Sequence, residues 1–172
     1  DLDHFKHIND RYGHPSGDVV LAEVASTIRA GLRENVDLPG RVGGEEFVLV
    51  LPTTELIAAE IVAERLRAEI ESMRWEFTPL PTIPGGPHEP ETARVSMSFG
   101  VAGFDPAVNE TADALVARAD RALFRAKGNG RNRVEIASPP TGVRLGGDAE
   151  PAEHPGDEDR SPTVPIFPTH KP

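Results

Sequence analysis

Apolar residues recur at spacings of three and four positions in three stretches of the chain. The three apolar faces are Leu21, Val24, Ile28 and Leu32; then Ala58, Ile61, Val62, Leu66 and Ile70; then Leu115, Ala119, Ala122 and Ala126. This period is typical of amphipathic helices with one buried face. Capping residues set their expected limits, which are Asp18 to Gly31 or Gly40, a start after Thr53 or Thr54, and Thr111 to Lys127.

Short runs of strand character lie between the predicted helices. Residues 47–51 are apolar, and residues 95–101 alternate apolar with small polar side chains. The sequence GGEE at 43–46 separates 38–42 from 47–51, so we expect it to form the tip of a β-hairpin. Residues 78–90 contain five prolines and indicate an irregular loop. The pattern favours an α+β fold, an α/β sandwich with a mostly antiparallel central sheet and flanking helices.

Composition changes near Ala137. Residues 138–172 contain eight prolines, four glycines and six acids, but only four large aliphatic residues. Such a segment cannot bury enough apolar surface to offset its ordering entropy, so we expect a disordered tail. The tail either has no specific role or carries a proline-rich docking segment around 162–168. We therefore expect one domain over residues 1–137 and a separate tail over 138–172.

Charge and cysteine content exclude several classes of protein. The 172 residues include 18 Lys and Arg against 28 Asp and Glu, a net charge of −10, which argues against a nucleic-acid-binding surface. The absence of cysteine excludes a disulfide scaffold, a zinc–thiolate site and a thiol nucleophile. No apolar run reaches the ~20 residues that a membrane span needs. We expect a cytoplasmic protein that contacts neither nucleic acid nor membrane.

Two pairs of acids are candidates for metal binding. Asp1 and Asp3 are two residues apart, and Glu45 and Glu46 lie at the predicted hairpin tip. Mg²⁺ prefers carboxylate and carbonyl oxygens and often binds substrate phosphates as well. One carboxylate from each pair can therefore hold a metal ion, although each pair alone is also compatible with ordinary solvated acids.

Two further clusters have the chemistry of nucleotide ligands. The amide of Asn9 and the carboxylate of Asp18 match the donors and acceptors of a guanine edge, although both residues are also good capping residues. Lys127 and Arg131 near the end of the third helix suit a phosphate, or simply the helix dipole. Acids for a metal, a pair for a base and cations for phosphates together indicate a nucleoside-triphosphate site.

Several motifs in the same order resemble the GGDEF domain of the diguanylate cyclase family. They are residues 1–10 (DLDHFKHIND), 13–14 (GH), 17–18 (GD), 41–47 (RVGGEEF), 98–102 (SFGVA), 119–127 (ADRALFRAK) and 130–132 (GRN). The resemblance implies a palm-like nucleotidyl cyclase architecture. It also implies condensation of two GTP molecules into cyclic di-GMP with release of two pyrophosphates, across a homodimer, with Mg²⁺ or Mn²⁺ as cofactor.

The resemblance also implies a role for each matching residue. The metal would be held by the side chains of Asp1 and Glu45 and by the Leu2 carbonyl. Glu45 would also help to deprotonate the 3′-hydroxyl, with Glu46 as a second acid of the signature turn. The implied substrate-binding residues are Asn9 and Asp18 for guanine, His14 and Leu21 beside it, and Lys6, Lys127 and Arg131 for the phosphates.

Two departures from the family pattern change what we expect. The product-inhibition motif has Asp37 in place, but Glu34 stands where an arginine is usual and Arg33 is one residue early, so high-affinity inhibition should be weakened. The family also has a helix and a strand before the metal-binding aspartate. We therefore expect a domain that lacks its first strand, poor activity from these 172 residues alone, and an upstream sensory domain in the parent protein.

Two alternatives remain open on the sequence alone. One is a GTP-binding or cyclic di-GMP signalling module without synthesis, and the other is a different nucleotidyl transferase with a related site. Non-synthetic modules usually lose an acid of the signature turn, whereas Glu45 and Glu46 are both present here.

Overall fold

The computed structural model of the chain describes residues 1–81 and 89–140. The helices are α1 Phe5–Tyr12, α2 His14–Ala30, α3 Leu56–Ser72 and α4 Ala112–Gly128. The strands are β1 Leu2–Asp3, β2 Leu38–Arg41, β3 Phe47–Val50, β4 Trp75–Phe77, β5 Glu91–Ala93, β6 Ser96–Met97, β7 Phe99–Val101 and β8 Val134–Ile136. No helix in the described ranges is long and apolar enough to cross a membrane.

The strands pair in short ladders. β1 pairs antiparallel with β6, β2 with β3, and β4 with β5, whereas β7 and β8 run parallel. Only Ser98 separates β6 from β7, so the ladder that contains β1 continues directly into the one that contains β8. The predicted α+β arrangement with mostly antiparallel pairing is therefore confirmed for the described residues.

Helices cover the strands and enclose a large buried apolar cluster. α3 packs on β6, β7 and β8, α4 packs on β7 and β8, and α2 lies against both α1 and α3. The largest fully buried apolar side chains are Leu2, Val20, Val24, Ile28, Leu66, Ile70 and Met97. Since Leu2 and Met97 face each other across β1 and β6, this ladder lies in the core rather than at its margin.

Gly100 allows α4 to approach β7 at backbone distance. A Cβ atom at this position would lie 2.1 Å from the Ala119 carbonyl oxygen and 2.4 Å from the Leu123 nitrogen. Both neighbours are backbone atoms of a helix and cannot rotate away as a side chain would. The position of α4, and of the basic residues at its end, therefore depends on this glycine.

A buried ion pair fixes the other end of α4. Arg118 is 7% exposed and donates to both Glu110 oxygens at 2.7 and 2.8 Å. Its remaining donors reach the carbonyls of Gly103 at 2.6 Å and Ser138 at 2.9 Å. The guanidinium thus joins α4 to the segments that follow β7 and β8. Hydrogen bonds to every side of a buried charge are what make its burial tolerable.

Three of the four helices were predicted, with limits that are partly wrong, and α1 was missed. α2 begins at His14 rather than Asp18, with Gly13 before it, and ends at Ala30 with Gly31 following as expected. Gly40 lies in β2. α3 begins at Leu56 without a side-chain cap, so neither suggested threonine caps it. The predicted α4 is confirmed, and Thr111 caps it through a hydrogen bond from the Ala114 N–H.

The predicted buried face of α3 is wrong at two positions. Ala58 and Ile61 are exposed, and the buried residues are Ala63, Leu66 and Ile70. Successive helix residues are about 100° apart, so Ile61 lies nearly opposite the buried Ala63 and faces outward.

The strand predictions are also mixed. The hairpin is confirmed, with Arg41 facing Phe47 across its tip. The run 95–101 is two strands interrupted at Ser98, and β1, β4, β5 and β8 were not predicted. The described parts of the predicted loop, 78–81 and 89–90, have no regular structure, and 82–88 lie outside the described residues. Most of the predicted tail, 141–172, lies outside them too.

Gly100→Ala should destabilise the protein by about 1–3 kcal/mol or more, because its methyl group must displace helix backbone. Gly128→Ala is the matched control, since nothing lies within 4 Å of its Cβ position. Urea unfolding of both variants measures the difference. Equal midpoints for the two variants would contradict the close approach of β7 and α4.

Candidate functional site

β1 lies between two segments that are distant in the sequence. The main-chain nitrogen of Asp1 donates to the Ser98 carbonyl, and the Ser98 N–H donates to the Asp1 carbonyl, both at 3.0 Å. Because bonded and unbonded pairs alternate along antiparallel strands, the backbone groups of Leu2 point away from β6. The Leu2 N–H donates to the Glu45 carbonyl at 3.2 Å, and the Leu2 carbonyl faces the same side. The hairpin tip is thereby held beside β1.

The acidic side chains of β1 face the end of α4. Asp1 and Asp3 share one face of the strand, since side chains alternate with period two. The Asp1 carboxylate lies 3.0 Å from the Lys127 ammonium, and its side chain is 8% exposed. Asp3 accepts a hydrogen bond from the Asn132 N–H at 3.0 Å. The candidate metal-binding segment and the candidate phosphate-binding segment therefore meet in the fold.

An arginine holds the tip of the hairpin. Arg41 donates to the Gly44 carbonyl at 2.7 and 3.0 Å and to the Gly43 carbonyl at 3.2 Å. Glu46 is exposed and folds over Gly43, where a Cβ atom would lie 2.6 Å from its Oε2. Glu45 is half-buried and carries the carbonyl that Leu2 binds. Of the two acids, Glu45 is therefore the one whose backbone is fixed against β1.

The proposed guanine ligands lie where α1 packs on α2. A Cβ atom on Gly17 would lie 2.0 Å from Asn9 Oδ1, so the Asn9 side chain rests against the residue before Asp18. Neither side chain caps a helix, so helix capping does not explain why Asn9 and Asp18 stand at these positions. His14 and Asp18 are exposed on the first turns of α2, whereas Leu21 is 6% exposed and belongs to the core.

The three predicted phosphate ligands are not in one place. Lys127 pairs with Asp1, and Arg131 follows in the turn after α4. The Arg131 guanidinium makes no hydrogen bond within residues 1–81 and 89–140. Lys6 is 81% exposed and pairs with Asp10 on α1 at 2.6 Å. Within the described chain, Lys6 has no contact that joins it to Asp1 or Lys127.

The residues at β1 suit Mg²⁺ or Mn²⁺ together with a substrate. No cluster of three or more His, Asp or Glu side chains is found in the described ranges, so a cage made only of protein acids is absent there. Mg²⁺ does not need one, because it is usually bound by one or two carboxylates, waters and substrate phosphates. Asp1 already has a cation at 3.0 Å in Lys127, which shows that its carboxylate is placed to accept positive charge.

The degenerate inhibition motif forms an internal ion pair. Arg33 donates to both Asp37 oxygens, with distances of 2.6 to 3.1 Å, and also to the Pro52 carbonyl at 2.9 Å and Thr54 Oγ1 at 2.7 Å. Hydrogen bonds from Arg33 hold the pKa of Asp37 below its ordinary 3.8. The donors of Arg33 are therefore directed to its own loop and to the segment between β3 and α3.

Comparison with known protein families shows which family this chain belongs to. The family described as "Diguanylate cyclase, GGDEF domain" matches residues 1–133, more than half of the chain. The chain belongs to the GGDEF diguanylate cyclase family. The match contains all the segments that meet at β1, and it leaves out the residues after the turn that follows α4.

Curated relatives of this GGDEF domain are named as diguanylate cyclases. Diguanylate cyclase DgcP of Pseudomonas aeruginosa is 42% identical over 137 residues, which are 80% of this chain and 18% of that protein. Diguanylate cyclase DgcM of Escherichia coli K12 is 45% identical over 137 residues, which are 80% of this chain and 29% of that protein. The chain thus spans under a third of the length of these two relatives.

Solved GGDEF domains share its fold. The coiled coil and GGDEF domain of DgcB from Caulobacter crescentus, in complex with c-di-GMP, matches with a TM-score of 0.67 and 31% identity, covering 80% of this chain and 66% of that one. The active GGEEF domain of a diguanylate cyclase from Vibrio cholerae matches with a TM-score of 0.63 and 34% identity, covering 80% and 79%. The predicted nucleotidyl cyclase architecture is therefore confirmed.

Sequence reasoning missed three residues that build the site of this GGDEF domain. In the sequence Asp3 is one of a pair of candidate metal-binding acids, but in the structure it is 5% exposed and accepts hydrogen bonds from Ser96 and Ser98. Arg41 and Asn132 lie within two of the family motifs, which predict no separate role for either residue. One signal was available, because Ser96 and Ser98 lie two residues apart on a strand, and a buried polar face of this kind needs an acceptor opposite.

Proposed function

We propose that this domain is a diguanylate cyclase that condenses two GTP molecules into cyclic di-GMP and two pyrophosphates in the cytoplasm. One observation supports this above the others. The two-sided contacts of β1 bring a carboxylate (Asp1), a hairpin acid (Glu45) and a basic helix end (Lys127) to one place. A metal–triphosphate complex needs this combination of charges.

In this proposal, the side chains of Asp1 and Glu45 and the carbonyl of Leu2 hold Mg²⁺ or Mn²⁺. A metal held there would neutralise the charge that develops on the transferring phosphoryl group. Lys127 and Arg131 bind phosphate oxygens, with Lys6 reaching them only if it leaves Asp10. The main role of these residues is to position the triphosphate, because phosphoryl transfer needs little covalent participation by the protein.

The reacting groups come from two copies of the domain. The 3′-hydroxyl of one GTP attacks the α-phosphorus of the other, a P–O bond forms, and pyrophosphate leaves. Glu45 accepts the hydroxyl proton, with Glu46 as the second acid of the turn. Each copy binds one GTP, so a homodimer must bring two sites face to face. Rate should therefore rise with more than the first power of enzyme concentration where the protein is mostly monomeric.

Guanine selectivity is assigned to Asn9 and Asp18. The Asn9 amide suits O6 or N7, and the Asp18 carboxylate suits the N1–H and the amino group. Adenine presents the opposite pattern at this edge, so ATP should be a poor substrate. His14 and Leu21 border this position, His14 from the surface and Leu21 from the core.

Glu45→Gln tests the catalytic assignment in the protein as its gene encodes it. The variant should form cyclic di-GMP at least about 100-fold more slowly, since it loses both a proton acceptor and a charged ligand. Mass spectrometry after incubation with GTP and Mg²⁺ separates cyclic product, linear product and no product.

Glu69→Gln is the matched control, because it makes the same change at an exposed acid on α3. It should retain the parent rate. A parent protein that makes no cyclic di-GMP as a dimer would contradict the proposed function, and linear product alone would favour a different nucleotidyl transferase.

Gly17→Ala tests the guanine assignment. Its methyl group would lie 2.0 Å from Asn9 Oδ1, so the Asn9 side chain must turn away from the base. The ratio of GTP to ATP affinity should fall by about tenfold, because a base-specific hydrogen bond is lost. Isothermal titration measures both affinities, with Gly128→Ala as control. An unchanged ratio would show that Asn9 does not read the base.

A further inference from the structure

We propose that Asp3 is a positioning residue for the triphosphate, because its carboxylate holds the turn that carries Arg131 against the strand that carries Asp1. This inference rests on the proposed function for its ligand, but its structural basis is independent of it. Asp3 is not assigned here as a metal ligand. Its carboxylate acts through the chain segment that it binds.

The contacts of Asp3 are directed into the protein. Its Oδ1 accepts from Ser98 Oγ at 2.7 Å, and its Oδ2 accepts from Ser96 Oγ at 2.7 Å and from the Asn132 N–H at 3.0 Å. The residue is 5% exposed. Each oxygen is therefore engaged by a donor from another segment, two from β6 and its end and one from the turn after α4.

The turn that Asp3 binds has an unusual backbone conformation. Gly130, Arg131 and Asn132 have φ values of +110°, +63° and +46°, so two residues with side chains adopt the left-handed region in succession. Such conformations persist only where surrounding contacts fix them. The first contact is the Arg131 N–H to the Ala126 carbonyl at 2.9 Å, which closes the end of α4.

The other side of the turn is anchored to α3. The Asn132 amide donates to Glu71 Oε1 at 2.7 Å, and its oxygen accepts from Arg67 at 2.9 Å. Asn132 is thus held by its side chain from α3 and by its backbone from Asp3. Removing Asp3 leaves the side-chain anchor but frees the backbone, and the direction of Arg131 is set by that backbone.

The geometry couples two parts of the same ligand site. Asp1 and Asp3 share a face of β1, and the former contacts Lys127 while the latter contacts Asn132. Lys127 and Arg131 are four residues apart around the end of α4. The register of β1 is therefore transmitted to both cations, by an ion pair at one and by a backbone hydrogen bond at the other.

The test uses Asp3→Ala and Asp3→Asn in the gene-encoded protein, with Asp113→Ala at an exposed position of α4 as control. The probes are guanosine and 3′-deoxy-GTP, both with Mg²⁺. The 3′-deoxy-GTP lacks the attacking hydroxyl and is therefore not turned over. Asp3→Ala should bind 3′-deoxy-GTP about tenfold more weakly and guanosine within about twofold of the parent. Asp3→Asn should recover most of the loss, since its amide oxygen can accept from the Asn132 N–H and from Ser96 while the Ser98 hydroxyl rotates to accept from the amide nitrogen.

A double variant of Asp3 and Arg131 distinguishes the positioning role from a general loss of stability. Arg131→Ala should weaken 3′-deoxy-GTP binding in the parent but not further in Asp3→Ala. Asp3→Ser, one bond too short to span the donors, replaces the alanine variant if that variant does not fold. Equal loss for guanosine, multiplied losses in the double variant, or parent-like 3′-deoxy-GTP binding would each overturn the proposal.

Hydrogen exchange separates this inference from the proposed function. Without nucleotide, the amide of Asn132 should exchange about tenfold faster in Asp3→Ala than in the parent. If the parent binds neither probe, the proposed function fails, and this exchange measurement still decides whether Asp3 holds the turn. Unchanged exchange at Asn132 would overturn the positioning role by itself.

Discussion

The site depends on the backbone hydrogen bonds of one very short strand. β1 has two residues, yet the chain here is bonded on one side to Ser98 through Asp1, the residue before β1, and on the other to Glu45 through Leu2. An extended strand presents its backbone groups to two sides and its side chains to two others. This lets β1 fix a hairpin, a neighbouring strand and a helix end at once. Its position in the core, with Leu2 at 1% exposure, keeps that arrangement rigid.

Charge pairing at β1 explains how acids and bases can converge without a ligand. Asp1 is nearly buried, and a buried carboxylate without a partner would be costly. Lys127 supplies the partner. On the proposed function, a metal-bound triphosphate offers a cation to Asp1 and an anion to Lys127, so both groups remain paired when the substrate binds. The net charge of −10 is no obstacle, because the local cations lie at the site itself.

The sequence was most informative where a single apolar repeat or a single motif determines an element of secondary structure. The apolar repeats located three helices, and the glycine pair located the hairpin. The start of α2 was misplaced because Asp18 is a good N-cap by type, yet Gly13 ends α1 and leaves no room for a longer loop. Ala58 and Ile61 fit a helical period, but α3 buries Ala63, Leu66 and Ile70 instead, and which face is buried depends on packing and not on local pattern.

The composition of the site was predictable, but its connections were not. Residue types pointed to a metal, a base and phosphates, and the order of motifs pointed to the family. The contacts of Asp3, Arg41 and Asn132 include Asp3 to Asn132, 129 positions apart, Arg41 to Gly44, 3 apart, and Asn132 to Glu71, 61 apart. Only the first and last of these are long-range contacts, which no local pattern encodes. Lys6 shows the converse, since its type suits a phosphate while its contact in the structure is Asp10.

Manganese binding tests the central claim most directly, namely that Asp1 and Glu45 share one divalent ion with GTP. Electron paramagnetic resonance can follow Mn²⁺ uptake with 3′-deoxy-GTP in the parent, in Asp1→Asn, in Glu45→Gln and in the double variant. The proposed site predicts that each single change weakens Mn²⁺ uptake by about tenfold or more and that the double change adds little, because the two carboxylates serve one ion. Uptake that is unaffected by either change, or losses that simply multiply, would contradict a shared site.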